Sequence, residues 1–179
     1  MLTIYLKETE VWDESKEVIL EVKPITLHLE HSLLSISKWE QKWKKSFTHT
    51  TSLSREEFID YVRCMTLDKN IEPIYYLSLT HEHIDEITAY INDPMTATII
   101  KKTPGPVKKQ VITNEVLYAS MVEYGIPFSC EKWHLNRLLT LIQVCAENRK
   151  QPTKKNKRDV INDYDAINRK RRAMMHSNG

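Results

Sequence analysis

Three clusters in this 179-residue chain carry side chains able to do chemistry, and each has a competing structural use. His81 and His83 invite a metal reading. Residues two apart on a helix project about 200° from each other, so one helix cannot aim both at one ion. No Cys or acidic cluster at ligand spacing completes such a site, and solvated first-turn side chains are the simpler reading. Cys130 and His134 stand four apart near an expected helix start, where the positive end of the dipole favours a thiolate. A cysteine nucleophile also needs an oriented base and oxyanion donors, and no nucleophile-elbow signature surrounds it. Trp39 and Trp43 sit among Lys38, Lys42, Lys44 and Lys45, so base stacking is conceivable. Their four-residue spacing is equally what a packed helix face requires. Only three glycines occur in the chain, and none forms a phosphate-cradling loop. The expectation is a protein without catalytic residues, metal or cofactor, and hence no enzyme.

Charge is unevenly spread. Residues 149–179 carry ten Lys or Arg against three Asp, a net +7, which leaves residues 1–148 at −5 within the overall +2. Clustered cations displace counterions from phosphate, so Lys154, Lys155, Lys157, Arg158, Arg169, Lys170, Arg171 and Arg172 are the candidate contacts for nucleic acid or an acidic partner. A solvated tail fits the same composition. Hydrophobic residues make up 41% of the chain and charged residues 28%, which suits a domain with a real core. No window approaches the roughly 20 apolar residues needed to span a bilayer, so no membrane partner is expected. MLTIYLKETE does not read as a secretion signal. Cys64, Cys130 and Cys145 are odd in number and without a Cys-x-x-Cys pair, which suits a reducing compartment.

The elements that would position these groups follow from periodicity. Leu2/Ile4/Leu6, Val18/Leu20/Val22 and Ile25/Leu27/Leu29 alternate, predicting three short antiparallel strands, with Lys7–Lys16 as connector and Pro24 as a break. From Leu33 the period becomes helical through Ile36, Trp39 and Trp43. Ser54 and Glu57 form a capping box ahead of a helix faced by Phe58, Tyr61, Val62 and Met65. Thr80 caps another, faced by Ile84, Ile87 and Ile91 and stopped at Asn92-Asp93-Pro94. Residues 101–110 read as a loop, with two prolines, a glycine and four lysines.

The clearest instructions lie in residues 114–150. Leu117, Met121 and Tyr124 predict one helix, closed by Gly125 and Pro127. Leu135, Leu138, Ile142 and Cys145 predict a second, capped by Ser129 and packed on the first as a hairpin. Arg158–Met175 predicts a last helix. The fold class is therefore α+β and mainly helical: a small N-terminal antiparallel β-sheet (1–32), a helical bundle (33–148), and a basic C-terminal helix or tail (149–179).

Three blocks carry a resemblance: Leu34-Ser35-Ile36-Ser37-Lys38-Trp39-Glu40, then Ile91-Asn92-Asp93-Pro94-Met95-Thr96-Ala97-Thr98, then Ile126-Pro127-Phe128 continuing to Trp133-His134-Leu135-Asn136-Arg137-Leu138-Leu139-Thr140-Leu141-Ile142. With Asn168-Arg169-Lys170-Arg171-Arg172 near the end, they resemble, in order and over nearly the whole chain, a protein family of the tail modules of long-tailed bacteriophages. The chain departs from that pattern at Ile99-Ile100, where an aromatic is more usual, and at Ser129-Cys130 after Phe128. The resemblance implies a tail assembly chaperone acting in the host cytoplasm on the tape-measure protein, or a virion component such as a head–tail connector or tail subunit. A chaperone would cover an apolar helical partner with amphipathic stripes. The candidates are Ile84/Ile87/Ile91 and Leu135/Leu138/Ile142, with Trp39, Trp43 and Trp133 as aromatic anchors, although each also fits a core. Self-association and nucleic-acid binding through the tail remain alternatives.

Overall fold

Branched residues in alternation make the N-terminal region extended, and a computed structural model shows how the alternation is used. It describes residues 1–13, 17–99, 111–149 and 157–175. Strand β1 (Leu2–Leu6) pairs antiparallel with β4 (Ile25–Leu29), and β2 (Thr9–Asp13) with β3 (Val18–Val22). Leu6 faces Ile25 and Thr9 faces Val22, so both ladders keep one register and form a single folded-back ribbon. The interruption falls at Lys7-Glu8 opposite Lys23-Pro24, where proline has no N–H to donate. The interval expected as a connector thus contains a strand, Thr9–Asp13, which corrects the sequence reading.

One face of the proximal ribbon, made by Ile4, Leu6, Leu27 and Leu29, is buried in the core. In the distal part Val22 is buried, whereas Trp12 and Ile19, directly opposite each other, are exposed. The chain leaving the second helix extends the free edge of β4: Glu30 N–H donates to the Met65 carbonyl at 2.9 Å and Leu67 N–H to the His28 carbonyl at 2.8 Å.

Helix α1 (Leu33–Trp43) follows a Ser32–Ser35 capping box and ends on Lys44 in the left-handed region, φ 55°. Its buried side, Leu33, Ile36 and Trp39, packs on α2 (Arg55–Met65) through Tyr61, Val62 and Met65. Between them lies a 3-10 turn, Phe47–His49. Trp39 is the hub: its ring meets Phe47 and Tyr61 edge-on, and its indole N–H donates to the Glu57 carbonyl at 2.9 Å. A short helix α3 (Ile74–Leu77) and α4 (His81–Asn92) come next. Helix α5 (Asn114–Tyr124) ends as expected on Gly125, φ 68°.

The predicted hairpin is not formed. Helix α5 takes α1 as its main packing partner, and a 3-10 segment (Phe128–Lys132) intervenes before α6 (Leu135–Arg149). Ser129 therefore lies inside that segment, too early to cap α6. The start of α6 is instead pinned where Leu135 N–H donates to the His31 carbonyl at 2.7 Å. Helix α7 (Lys157–Met175) is the last element. The chain divides into two compact units, Met1–Cys145 and Ala146–Gly179, with the division inside α6. The fold is α+β and mainly helical. The loop expected at 101–110 lies outside the described residues, as do Lys154 and Lys155.

Candidate functional site: an apolar groove beside helix α4

The stripe on α4 is only partly consumed by the core. Ile87 is fully buried, while Ile84 and Ile91, three residues before it and four after, are half-buried and line an open groove. The opposite wall comes from Phe47, Leu53 and Phe58, with Leu79 also lining it, and the volume is about 670 Å³. That is within the range of pockets that hold a drug-sized ligand, or a few bulky side chains of a partner helix. Hydroxyls of Thr50, Thr51, Ser52, Ser54, Thr80 and Thr88 complete the lining.

Two helices begin at this groove, and helix N-termini attract anions. Each already carries a reciprocal capping pair. Ser54 Oγ accepts from Glu57 N–H at 3.2 Å while a Glu57 carboxylate oxygen accepts from Ser54 N–H at 2.8 Å. Thr80 Oγ1 accepts from His83 N–H at 3.4 Å, and His83 Nδ1 accepts from Thr80 N–H at 3.2 Å. His83 thus stands where Glu completes a capping box, which gives it a structural role, while His81 lines the groove. With those donors taken, what remains on offer is apolar surface edged by hydroxyls.

The remaining sequence candidates fall elsewhere. Trp39, Leu135 and Leu138 are buried with Ile87 in the core, so they contribute stability rather than contact surface. Ile142 is half-buried against that core. Trp43 stacks on Trp39 at 6.2 Å, and its indole N–H donates to Asp60 at 2.9 Å. Asp60 also receives Lys42 at 2.6 Å. Burial pushes the Asp60 carboxyl up, but the Lys42 ammonium and the Trp43 N–H hold it below its usual value. The Trp43 surroundings are therefore a polar clamp between α1 and α2. Trp133 lies under the Arg137 guanidinium, 4.2 Å from its ring centre. The groove joins neither tryptophan: of the predicted contacts it gathers Ile84 and Ile91 alone. Of its missed half, Leu53 and Leu79, only Leu53 carried a signal, as a lone leucine in a hydroxyl-rich stretch.

Cys130 is buried, and His134 has other work. His134 Nε2 donates to the Tyr90 carbonyl at 3.0 Å and Nδ1 accepts from Asn136 N–H at 3.3 Å, which fixes one neutral tautomer. The ring packs edge-on against His31 at 5.0 Å. His31 Nδ1 takes the Tyr61 hydroxyl, and burial followed by the neighbouring His134 lowers its pKa to about 3. Tyr90 donates to Glu30 at 2.7 Å. Both rings are buried and hydrogen-bonded, a polar island within the core.

On the last helix, Arg169, Lys170, Arg171 and Arg172 are exposed. Lys157 and Arg158 begin it. Among the described residues no group of His, Cys, Asp or Glu could hold a metal ion, and no helix is long and apolar enough to cross a membrane. No protein-family model matches the chain, and no match was found among curated proteins or solved structures. Fold and groove together define a mainly helical α+β protein with an open apolar groove.

Proposed function

We propose that this chain is a non-enzymatic assembly factor of a phage tail module, a chaperone that holds apolar helical segments of the tape-measure protein until the tail tube encloses them. The groove beside α4 is the observation that carries the reading. An amphipathic helix recognises such a surface by seating side chains at three- and four-residue spacing. Ile84 and Ile91 are placed to receive them, and the groove's polar groups are mostly hydroxyls rather than charges. The sequence blocks resembling phage tail proteins support the same role.

The test is co-expression with the cognate tape-measure protein. The chain should keep that protein in the soluble fraction, and Ile84→Asp or Ile91→Asp should abolish the effect at a temperature where circular dichroism shows the variant still folded, since a carboxylate at a half-buried position lowers the thermal transition. Equal precipitation with and without the chain removes the proposal. Mass spectrometry of purified particles separates a chaperone, which leaves, from a connector or tail subunit, which stays. The exposed run Arg169–Arg172 favours a second reading, nucleic-acid binding, which predicts an affinity that falls steeply with added salt.

A further inference from the structure

The outer strand of the distal ribbon lacks the guards that edge strands carry. Strand β3 pairs with β2 alone, so half of its backbone N–H and C=O groups point away from the ladder. The edge of β4 is taken by the chain around Met65 to Leu67, and α3 lies against β2. Among the described residues, no other backbone bond reaches β3. Edges are usually blunted by lysine, proline or a bulge. Val18-Ile19-Leu20-Glu21-Val22 has none of these, and Lys23 and Pro24 come only after it.

One face of the ribbon is equally unfinished. Val22 is buried and Val11 and Leu20 are half-buried on the inner side, so Glu10, Trp12, Ile19 and Glu21 share the outer one. Trp12 and Ile19, opposite each other, are 53% and 63% exposed. The next pair on that face sets the carboxylates of Glu10 and Glu21 across from each other, with no cation paired to either among the described residues. Like charges so placed repel.

We propose that this edge receives an extended, basic segment of a partner protein, added to β3 as a third strand, with an apolar residue beside Ile19 and a lysine or arginine two residues away beside Glu21. Strand addition satisfies the open backbone groups, and side chains at alternate positions supply the selection. The carboxylate that selects a basic partner also rejects a second copy. If β3 paired antiparallel with itself about Ile19, Leu20 or Glu21, Glu21 would meet Glu17, Ile19 or Glu21 of the copy. None of those registers gives it a cation. This edge owes nothing to the groove or to a phage partner, so it stands or falls apart from the chaperone reading.

The probe is a short labelled peptide in which threonine alternates with valine and lysine in turn, and its twin carries glutamate for lysine. Fluorescence anisotropy with the full chain should show the lysine peptide bound and the twin bound at least about fivefold more weakly. Glu21→Lys should invert that preference, and Ile19→Thr should weaken the lysine peptide. Amide hydrogen exchange should slow within Val18–Val22 when the peptide binds, which side-chain attraction alone does not produce. Circular dichroism identifies a variant that has lost its fold; Glu21→Lys, at an exposed position, then decides the question. No binding at about 1 mM peptide overturns the proposal. So does a preference unmoved by Glu21→Lys, or binding without slower exchange in β3. Two other results give the edge a different occupant and overturn it as well: a dimer of the chain that Ile19→Thr dissolves, and peptide binding that appears only once residues 150–179 are deleted.

Discussion

Glu40 shows how much a single side chain can organise. One carboxylate oxygen accepts from Phe47 N–H at 2.7 Å and the other from Asn114 N–H at 2.8 Å. Asn114 opens α5, and Thr113 ahead of it makes no side-chain capping bond, so the cap comes from another helix 74 residues away. Removing the carboxylate strands two N–H groups, one of them buried. Glu40→Ala should therefore cost about 2–4 kcal/mol in urea unfolding, and Glu40→Gln about half that. A Glu40→Ala loss within about 0.5 kcal/mol of zero would show that water replaces the carboxylate. His31 makes a second residue-scale prediction. Its folded pKa, about 3, lies below the unfolded value of 6.5. Between those values the unfolded chain binds a proton that the folded chain refuses. Stability is thus retained above pH 6.5 and falls on acidification, by up to about 1.4 kcal/mol per pH unit. Between pH 6.5 and 5 the carboxylates held low by their partners stay ionised, so the slope there belongs to the histidines, and the His31 share is what a substitution removes. His31→Gln, which keeps an acceptor for the Tyr61 hydroxyl, should flatten it; an unchanged slope would assign the effect elsewhere.

At the scale of elements, α2 and α4 begin in the same way and should respond alike. Ser54→Ala and Thr80→Ala each remove the acceptor of a capping box and should cost about 1 kcal/mol. Lys44→Gly, at a left-handed C-cap, should stabilise by about 0.5–1 kcal/mol. Guanidinium titrations check all three, and a destabilised Lys44→Gly would mean that the lysine stem packs. These are also the elements that were legible from sequence, because caps, stops and helical stripes are local patterns. Ser54 with Glu57, Thr80, the stop at Asp93-Pro94 and Gly125 sit where spacing placed them. What escaped was decided at a distance. Strand β2 was hidden because Trp12 faces solvent and Glu10 lies opposite Glu21, a pairing that no local alternation favours. Helix α3, four residues long, is too short for a period. The expected hairpin failed because α5 is held to α1 by Glu40 and the core, while α6 is anchored at His31; neither tie leaves a mark within its own window. The groove was half legible for the same reason. Ile84 and Ile91 belong to one helix, but their opposite wall comes from Leu53 and Phe58 some thirty residues earlier.

Across the whole molecule, the division of charge makes the two main functional readings separable. Residues 1–148 carry −5 and residues 149–179 carry +7, so affinity for a polyanion is expected chiefly from the second segment. If the four exposed cations from Arg169 to Arg172 each displace a counterion, binding of single-stranded DNA should weaken roughly 50-fold between 50 and 200 mM salt. Deleting residues 150–179 should abolish it. Apolar docking in the α4 groove behaves in the opposite way, because its contacts bury few charges and screening barely touches them. Retention of a tape-measure helix should accordingly survive the same salt step and the same deletion, and fail with Ile84→Asp. Fluorescence anisotropy with a labelled oligonucleotide and with a labelled partner peptide, run on the same three proteins, gives both answers at once. Loss of peptide binding on deleting the tail would place recognition in residues 150–179 and displace the groove as the working surface.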